Sequence, residues 1–215
     1  VDLEGIRQVI GDRLLIVDVM QGFGVVDAPY ELADVVVGSG RTWVRAGWGT
    51  GFMVLSERAL DQLTPVWTGY VPNGNTQEEP NEVPAPVRGA RAFGLSDPDP
   101  LAQARLSAAL EEIDRVGVAA IGAKVDEKVS RLIDLADEFA VPVVSPRAEH
   151  ERAGIVVVEP EPEHLTVLAA ALHNHGVSAA VGGGRVRLSA HATTNDETLA
   201  MLRSAFLSFS TATPG

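Results

Sequence analysis

Cysteine is absent from all 215 residues, which excludes disulfide bonds, thiolate metal sites and a cysteine nucleophile. Lysine is almost absent, with 2 Lys beside 15 Arg. No run approaches the ~18 continuous apolar residues that a membrane span needs, so we expect no membrane association. The net charge of −12 and the scattered arginines argue against nucleic-acid binding, because neutralising phosphates takes clustered Lys and Arg.

A signal-peptide pattern is also missing after Val1, and we expect a cytoplasmic protein. What is present is the composition of an ordinary globular chain, with 46% hydrophobic and 21% charged residues. The length allows one large domain or one and a half ordinary ones. A start at Val1 with a helix-like run favours a fragment or a processed subunit over a native start.

The first part of the chain reads as an α/β layer. Residues 1–10 look like the end of a helix, and the apolar, β-branched run at 14–19 predicts a buried strand. Residues 33–37 and 51–55 predict two more strands. Strands separated by short loops and helices indicate a mostly parallel sheet.

Between residues 70 and 100 the composition changes, with six of the 13 prolines and a run of Glu. Regular structure is not expected there. Such a segment is either functional or a solvated connection between domains, and the sequence leaves both open.

Beyond it we predict a small α+β domain, with a boundary near residue 95. Asp97 or Asp99 caps a helix to about residue 116, and Asn195 caps a last helix to about residue 209. Between them we predict a helix at 125–139, a strand at 155–158, a helix at 164–174 and strands at 178–181 and 186–188. The predicted helix that ends near residue 116 carries six apolar residues on one face: Leu101, Ala104, Leu106, Ala109, Leu110 and Ile113. The last predicted helix turns four residues inward: Leu199, Leu202, Phe206 and Leu207.

Three segments have the residue types of a ligand site. Asp18 ends the first predicted strand and Gln21 follows three residues later, at the sheet edge where α/β proteins usually bind ligands. Taken alone, Asp18 would be read as a turn or capping carboxylate, and its surroundings shift that interpretation. Residues 35–52 combine a strand, Arg41, Thr42 and a glycine-rich turn. Arg187 begins the run Arg-Leu-Ser-Ala-His at 187–191, just before the last helix.

Two other features read as ordinary structure. His173 and His175 lie two residues apart near a predicted helix end, which does not place both on one face for a metal ion. We therefore predict surface histidines and no metal site. The Gly-Gly-Gly run at 182–184 precedes a strand and predicts a turn rather than a phosphate loop.

Together the three segments resemble the C-terminal portion of the class V aminotransferase-like family, which are fold type I enzymes that use pyridoxal phosphate. The glycine turn is most similar to the kynureninase, isopenicillin-epimerase and C–S-lyase-like branch. The resemblance implies that residues 1–95 are the C-terminal part of a cofactor-binding large domain with a mostly parallel sheet and the proline-rich loop. It implies a small C-terminal α+β domain at 96–215.

The resemblance also implies roles. Asp18 would keep the ring nitrogen of the cofactor protonated, and Gln21 would hydrogen-bond its phenolic oxygen. Arg41 stands where a His or Tyr is common in the family. Arg187 would bind the α-carboxylate of an amino-acid substrate; the alternative is a salt-bridged strand arginine. Ser96 is the nearest hydroxyl in a segment similar to one that reaches the phosphate of a second subunit, although Gly94 replaces the usual Glu there.

Thr42 departs from the family pattern. It occupies the position of the lysine that holds the cofactor as a Schiff base, and a hydroxyl cannot form an imine. Lys124 and Lys128, the only lysines, lie on a predicted helix of the small domain and are no substitute. The usual mechanism is therefore not possible in this chain alone, and pyridoxal phosphate would be bound non-covalently or not at all.

The resemblance covers only the later part of the family's chain, so we expect a partner. An N-terminal half or a second subunit would cover the sheet edge, in a homo- or heterodimer, and the ligand would be an amino acid. The absence of cysteine disfavours the desulfurase branch. Three hypotheses stay open: an enzyme part with lyase, epimerase or transaminase chemistry, a non-catalytic module for binding or dimerisation, and an enzyme that binds the cofactor non-covalently for other chemistry.

Overall fold

The computed structural model describes residues 1–67 and 87–213. The chain divides into two units, the first formed by Val1–Phe23 and Ala28–Arg115 and the second by Gly24–Asp27 and Val116–Gly215. Among the described residues no helix is long and apolar enough to cross a membrane. Part of the proline-rich segment, 68–86, lies outside the described residues. The domain boundary near residue 95 stays a prediction.

The described residues of the first unit form three α-helices and three strands. They are α1 (Leu3–Ile10), β1 (Ile16–Asp18), β2 (Val35–Ser39), β3 (Gly51–Leu55), α2 (Glu57–Gln62) and α3 (Pro100–Val116), the last residue of which belongs to the second unit. Side-chain caps begin all three of these helices: Asp2 accepts a hydrogen bond from the Gly5 N–H, Ser56 from the Ala59 N–H, and Asp99 from the Leu101 N–H. Of the two predicted caps of α3, Asp99 is therefore the one that acts.

The sheet of the first unit has the order β1-β2-β3. β1 runs parallel to β2, with Ile16 opposite Val35, and β3 runs antiparallel to β2, with Leu55 opposite Val35. One face of the sheet packs against α1 and the loop after β1. Its apolar cluster is formed by Leu15, Val19, Ala33 and Val36, with Ile6, Ile10, Val17, Phe23, Tyr30 and Phe52 packed against them.

Asp34 ties the start of this sheet together. Its buried carboxylate accepts hydrogen bonds from Arg7 at 2.6 Å and from the Leu15 N–H at 2.8 Å, and Arg58 lies 3.7 Å away. Burial alone would raise the pKa of Asp34, but the hydrogen bonds from Leu15 and Arg7 and the charges of Arg7 and Arg58 lower it below its ordinary value. Asp34 is therefore a charged anchor that links α1, β1, β2 and α2.

The prediction that the first strand is buried is wrong. Ile16 is 60% exposed and Asp18 is exposed, because they alternate with Leu15, Val17 and Val19, which face the apolar cluster, and the opposite face of β1 is not covered by described residues. β1 is also an outer strand, and no other described residue pairs with its free side. β3 is the other outer strand, and its Val54 is 58% exposed. Both margins of this sheet therefore present apolar side chains to solvent.

The second unit is an α+β unit, as the sequence predicts. It contains α4 (Val118–Glu138), β4 (Ile155–Val158), α5 (Leu165–Asn174), β5 (Ala180–Gly182), β6 (Arg185–Ser189) and α6 (Asp196–Ala212). Its antiparallel sheet has the order β4-β6-β5, and the tri-glycine run turns the chain from β5 into β6 with positive φ at Gly183 and Gly184. α5 and α6 pack on each other around Phe206, Leu168 and Leu172.

The caps and buried faces of the helices can be compared with those that the sequence predicts. Asn195 caps α6 as predicted, since its side chain accepts from the Thr198 N–H at 2.9 Å. Leu207, predicted to point inward, is 48% exposed, because the buried face of α6 passes through Ala205, Phe206 and Phe209 instead. In α3, Leu101 is 71% exposed and Ala104 is also exposed, so these two residues of the predicted apolar face are wrong. The other four are half-buried and accompany the buried Ala102: Leu106, Ala109, Leu110 and Ile113.

Candidate functional site

The loop after β1 turns tightly at Asp18. One carboxylate oxygen of Asp18 accepts a hydrogen bond from the Met20 N–H at 2.8 Å. The N–H groups of Gly22 and Phe23 then donate to the Val19 carbonyl at 3.0 and 2.9 Å. The exposed second oxygen of Asp18 has no hydrogen-bond donor among the described residues. This loop, residues 18–23, forms one wall of the candidate site.

The glycine turn, residues 40–51, forms the other wall. The Ala46 N–H donates to the Gly40 carbonyl at 2.7 Å, and the Gly40 N–H donates to the Thr50 carbonyl at 3.1 Å. A Cβ at Gly40 would overlap the Thr50 side chain, so only glycine fits there. Gly47 has a φ of 88°, which L side chains rarely adopt. The glycines at these positions therefore determine the backbone conformation of the turn.

Thr42 and Trp43 join the two walls. The half-buried Thr42 hydroxyl donates to the Met20 carbonyl at 2.8 Å, and the indole N–H of Trp43 donates to Oε1 of Gln21 at 3.0 Å. The structure thus brings Thr42 against the loop that carries Gln21, with Asp18 at the start of the same loop. The sequence alone did not predict that Trp43 holds Gln21, although a buried indole N–H regularly finds an acceptor.

The Trp43 contact fixes the orientation of the Gln21 carboxamide. An indole N–H can only donate, so the atom facing it is the amide oxygen. The amide NH₂ of Gln21 donates to no protein atom within the described part of the chain, and the side chain is exposed. Gln21 therefore presents a hydrogen-bond donor to solvent or to a ligand.

Arg41 lies on the outside of the glycine turn. Its backbone N–H donates to the Ser39 hydroxyl at 3.2 Å, and its guanidinium lies 4.2 Å from the ring centroid of the exposed Trp48. Arg105 of α3 holds the same turn from behind, by donating to the carbonyls of Ala46 and Trp48 at 3.1 Å each. No sequence pattern pointed to Arg105, because a helical arginine 59 residues from Ala46 follows no local rule.

Two further predicted residues, Ser96 and Arg187, belong neither to the loop after β1 nor to the glycine turn. Ser96 is exposed in the segment that follows the short helical turn Ala90–Phe93. Arg187 is an exposed residue of β6 in the second unit, and its guanidinium forms no ion pair with any described residue, whereas Arg185 pairs with Glu159 at 2.8 Å. The reading of Arg187 as a salt-bridged strand arginine therefore has no support in the described contacts.

The histidines and lysines of the second unit have other contacts. His175 Nε2 lies 2.8 Å from the Ser208 hydroxyl, and His173 is exposed. Among the described residues no group of three or more His, Asp or Glu side chains is placed to hold a metal ion. Lys124 and Lys128 both lie on α4 with their amines near Glu127, at 2.7 and 3.5 Å.

The groups around Thr42 suit the polar edge of pyridoxal phosphate except at the covalent anchor. Asp18 offers a free carboxylate oxygen, Gln21 offers an amide donor, and Arg41 offers a cation close by in sequence. Thr42 offers no amine, and the proton of its hydroxyl is engaged by the Met20 carbonyl. The residues present therefore fit a bound cofactor and exclude a bond to residue 42.

Comparison with known proteins places the fold. No protein-family model matches the chain. A kynureninase from Deinococcus radiodurans is 30% identical over 129 residues, which are 58% of this chain and 31% of that protein. The solved structure of a cysteine desulfurase from Thermococcus onnurineus aligns with a TM-score of 0.82 and 21% identity, over 94% of this chain and 54% of that one.

A cystine C–S lyase aligns with a TM-score of 0.72 and 17% identity, over 86% of this chain and 50% of that one. A mutant of the same lyase has glycine covalently linked to its pyridoxal-phosphate cofactor. The chain spans about a third of the kynureninase and about half of each solved structure. Its fold is that of the C-terminal portion of the class V aminotransferase-like, fold type I enzymes, and the resemblance found in the sequence is confirmed.

Proposed function

We propose that this chain is the C-terminal part of a class V aminotransferase-like protein that binds pyridoxal phosphate without a covalent bond and takes an amino acid as its ligand. One observation carries the proposal: the Thr42 hydroxyl is built into the site, where it donates to the Met20 carbonyl at 2.8 Å. The hydroxyl thus has a hydrogen-bond partner within the protein, beside the retained polar groups of Asp18 and Gln21. These contacts support a site that keeps its polar groups without a covalent anchor.

Each remaining group has a role toward the cofactor. When bound, pyridoxal phosphate supplies an electron sink, provided that its ring nitrogen is protonated. The free carboxylate oxygen of Asp18 would hold that proton, because a nearby negative charge favours the protonated ring. The amide NH₂ of Gln21 would donate to the phenolic oxygen, and Arg41 would offset the charge of a phosphate or carboxylate.

Arg187 would bind the carboxylate of the amino acid. A guanidinium can donate two parallel hydrogen bonds to a carboxylate, and this geometry gives specificity as well as affinity. The absence of an ion pair with any described residue leaves its fork available, in contrast to Arg185 on the same strand. The substrate class is therefore a compound with an α-carboxylate.

Proton transfer is the function that Thr42 cannot take over. A positioned general base contributes typically about 10²–10⁴-fold to a rate, and the family's lysine usually serves as that base. The Thr42 hydroxyl donates a hydrogen bond to the Met20 carbonyl and is a poor base at neutral pH. Lyase, epimerase or transaminase chemistry that depends on this base would be slow by about that factor.

The partner we propose is the N-terminal half of the fold, either as a preceding segment or as a second subunit. Both outer strands of the first sheet carry exposed apolar side chains, including Ile16 on β1 and Met53 and Val54 on β3. Such margins tend to pair with another strand or to aggregate. The chain also spans only about half of the solved structures that it matches.

The test is cofactor binding by the chain combined with its N-terminal half. Equilibrium dialysis should show uptake of pyridoxal phosphate, and after borohydride reduction and denaturation the mass of the chain should be unchanged. The variant Thr42→Lys is the positive control, in which reduction should add the cofactor mass at residue 42. Lys124→Arg and Lys128→Arg remove the two other lysines, which could react adventitiously. No uptake by the wild type, or no adduct on Thr42→Lys, would overturn the proposal.

A non-catalytic dimerisation module is the second candidate. The exposed apolar margins of the first sheet favour it, since they predict association whether or not a cofactor binds. Sedimentation of the chain with and without the N-terminal half separates the two functions. Association with no uptake of either cofactor or amino acid would support the module and contradict the cofactor-binding function.

A further inference from the structure

Two consecutive residues of the glycine turn hold two consecutive residues of the loop after β1. Thr42 donates to the carbonyl of Met20 at 2.8 Å, and Trp43 donates to the side chain of Gln21 at 3.0 Å. Trp43 is only 8% exposed, so water competes little for its indole N–H. The two bonds act on one short piece of chain, because the Met20 carbonyl belongs to the peptide that leads into Gln21.

Thr42 is suited to hold that peptide. Its hydroxyl can donate one hydrogen bond, and it donates that bond to the Met20 carbonyl. Its β-branched side chain has few rotamers, so little side-chain entropy is lost in keeping the hydroxyl in place. A fixed Met20 carbonyl fixes the peptide plane and thus the direction in which the Gln21 side chain leaves the backbone.

We propose that Thr42 is a positioning residue for Gln21. Acting through the Met20 carbonyl, it keeps the Gln21 carboxamide against the Trp43 indole, with the amide NH₂ turned outward as a donor. Residue 42 therefore holds the loop after β1 in place and is more than a position that has lost its lysine. We call this contact of Thr42 with the Met20 carbonyl the latch. A consequence, which rests on the proposed function, is that restoring lysine would add an amine but release the carbonyl that orients Gln21.

The three tryptophans allow this to be measured without a cofactor. Trp43, Trp48 and Trp67 give three indole N–H signals in a ¹⁵N-correlated NMR spectrum, which single Trp→Phe variants assign. The informative variant is Thr42→Val, which keeps the branched shape and loses the donor. Thr42→Ser keeps the donor and is the rescue. Thr50→Val is the matched control, because it removes a hydroxyl of the same turn that donates to Gly47 and not to the loop.

Thr42→Val should move the Trp43 indole signal toward the position that it takes in Gln21→Ala. Hydrogen exchange at that indole should become roughly five-fold faster, the effect of losing one neutral hydrogen bond. Thr42→Ser should restore both values, and Thr50→Val should leave them unchanged. The signals of Trp48 and Trp67 should stay in place in all variants.

Two results would overturn the latch. One is an unchanged Trp43 signal in Thr42→Val, and the other is a joint shift of all three indole signals, which would show general loosening of the unit. The experiments distinguish failure of this positioning role from failure of the proposed function. A Trp43-specific response in a protein that takes up no pyridoxal phosphate would support the positioning role and contradict the cofactor.

Discussion

The two units of the chain bury their side chains to different degrees. The largest fully buried side chains of the described residues all lie in the second unit: Phe206, Leu168, Leu172, Val129, Val141, Val156, Val158 and Val186. The first unit has a small apolar cluster on one face of its sheet and two outer strands with exposed apolar residues. It nevertheless carries Asp18, Gln21 and Thr42. The difference indicates that the second unit has the larger apolar core, whereas the first combines a small apolar cluster with polar anchors such as Asp34.

The strongest test of this difference is a cavity in the second unit. Phe206→Ala should lower the free energy of unfolding by about 3–5 kcal/mol, because Phe206 is fully buried between α5 and α6. The neighbouring Leu207→Ala is the control and should cost well under half as much, since Leu207 is half exposed. Urea denaturation followed by circular dichroism measures both. Equal costs would contradict the assignment of the buried face of α6.

The first unit should respond most to its polar anchor. Asp34→Ala should cost about 3 kcal/mol or more, because it leaves Arg7 without its buried partner and the Leu15 N–H without its acceptor. Tryptophan fluorescence reports this unit selectively, since Trp43, Trp48 and Trp67 all belong to it. Glu31→Ala, an exposed acidic residue of the same unit, is the control and should be nearly neutral.

The same anchor predicts a pH dependence. The pKa of Asp34 is lower in the folded chain than its ordinary value, as burial is outweighed by the bonds from Leu15 and Arg7. A depressed carboxyl pKa stabilises the fold above the unfolded pKa, and that stabilisation is lost as the pH falls through the folded value. Fluorescence-detected stability should therefore decline below about pH 4, and Asp34→Asn should flatten the decline. An unchanged slope in Asp34→Asn would contradict the anchor.

The sequence predicted the parts of the fold that depend on local signals. Asn195 as a cap, the tri-glycine turn and the strand Ile155–Val158 follow from residue preferences that act over a few positions. It failed where burial depends on what covers an element. The apolar run at β1 is typical of a buried strand, yet Ile16 is exposed because the described residues cover only the face of β1 that carries Leu15, Val17 and Val19.

For the candidate site as well, the sequence predicted some features and missed others. Asp18, Gln21 and Thr42 were found because each stands in a recognisable segment of sequence. The contacts that connect them were not found, since the Thr42 hydroxyl could have donated to several carbonyls and Arg105 reaches the glycine turn across 59 residues. Residue identity predicts which groups are present, whereas the partner of each group is set by tertiary packing.

The smallest expected change in stability tests the margins of the sheets. Val54 on β3 and Val181 on β5 are both about half exposed on outer strands, one in each unit. Val54→Lys and Val181→Lys should each change the free energy of unfolding of the chain by no more than about 0.5 kcal/mol, because neither removes a packed side chain.

The two variants should differ in association. If the N-terminal half adds to the sheet of the first unit, a lysine at 54 puts a charge in that interface and should weaken the complex, whereas a lysine at 181 should not. Sedimentation of each variant with the N-terminal half measures this. Equal weakening by both would show that the exposed margin of the first unit is no more an interface than that of the second. The difference in burial would then reflect only the smaller core of the first unit.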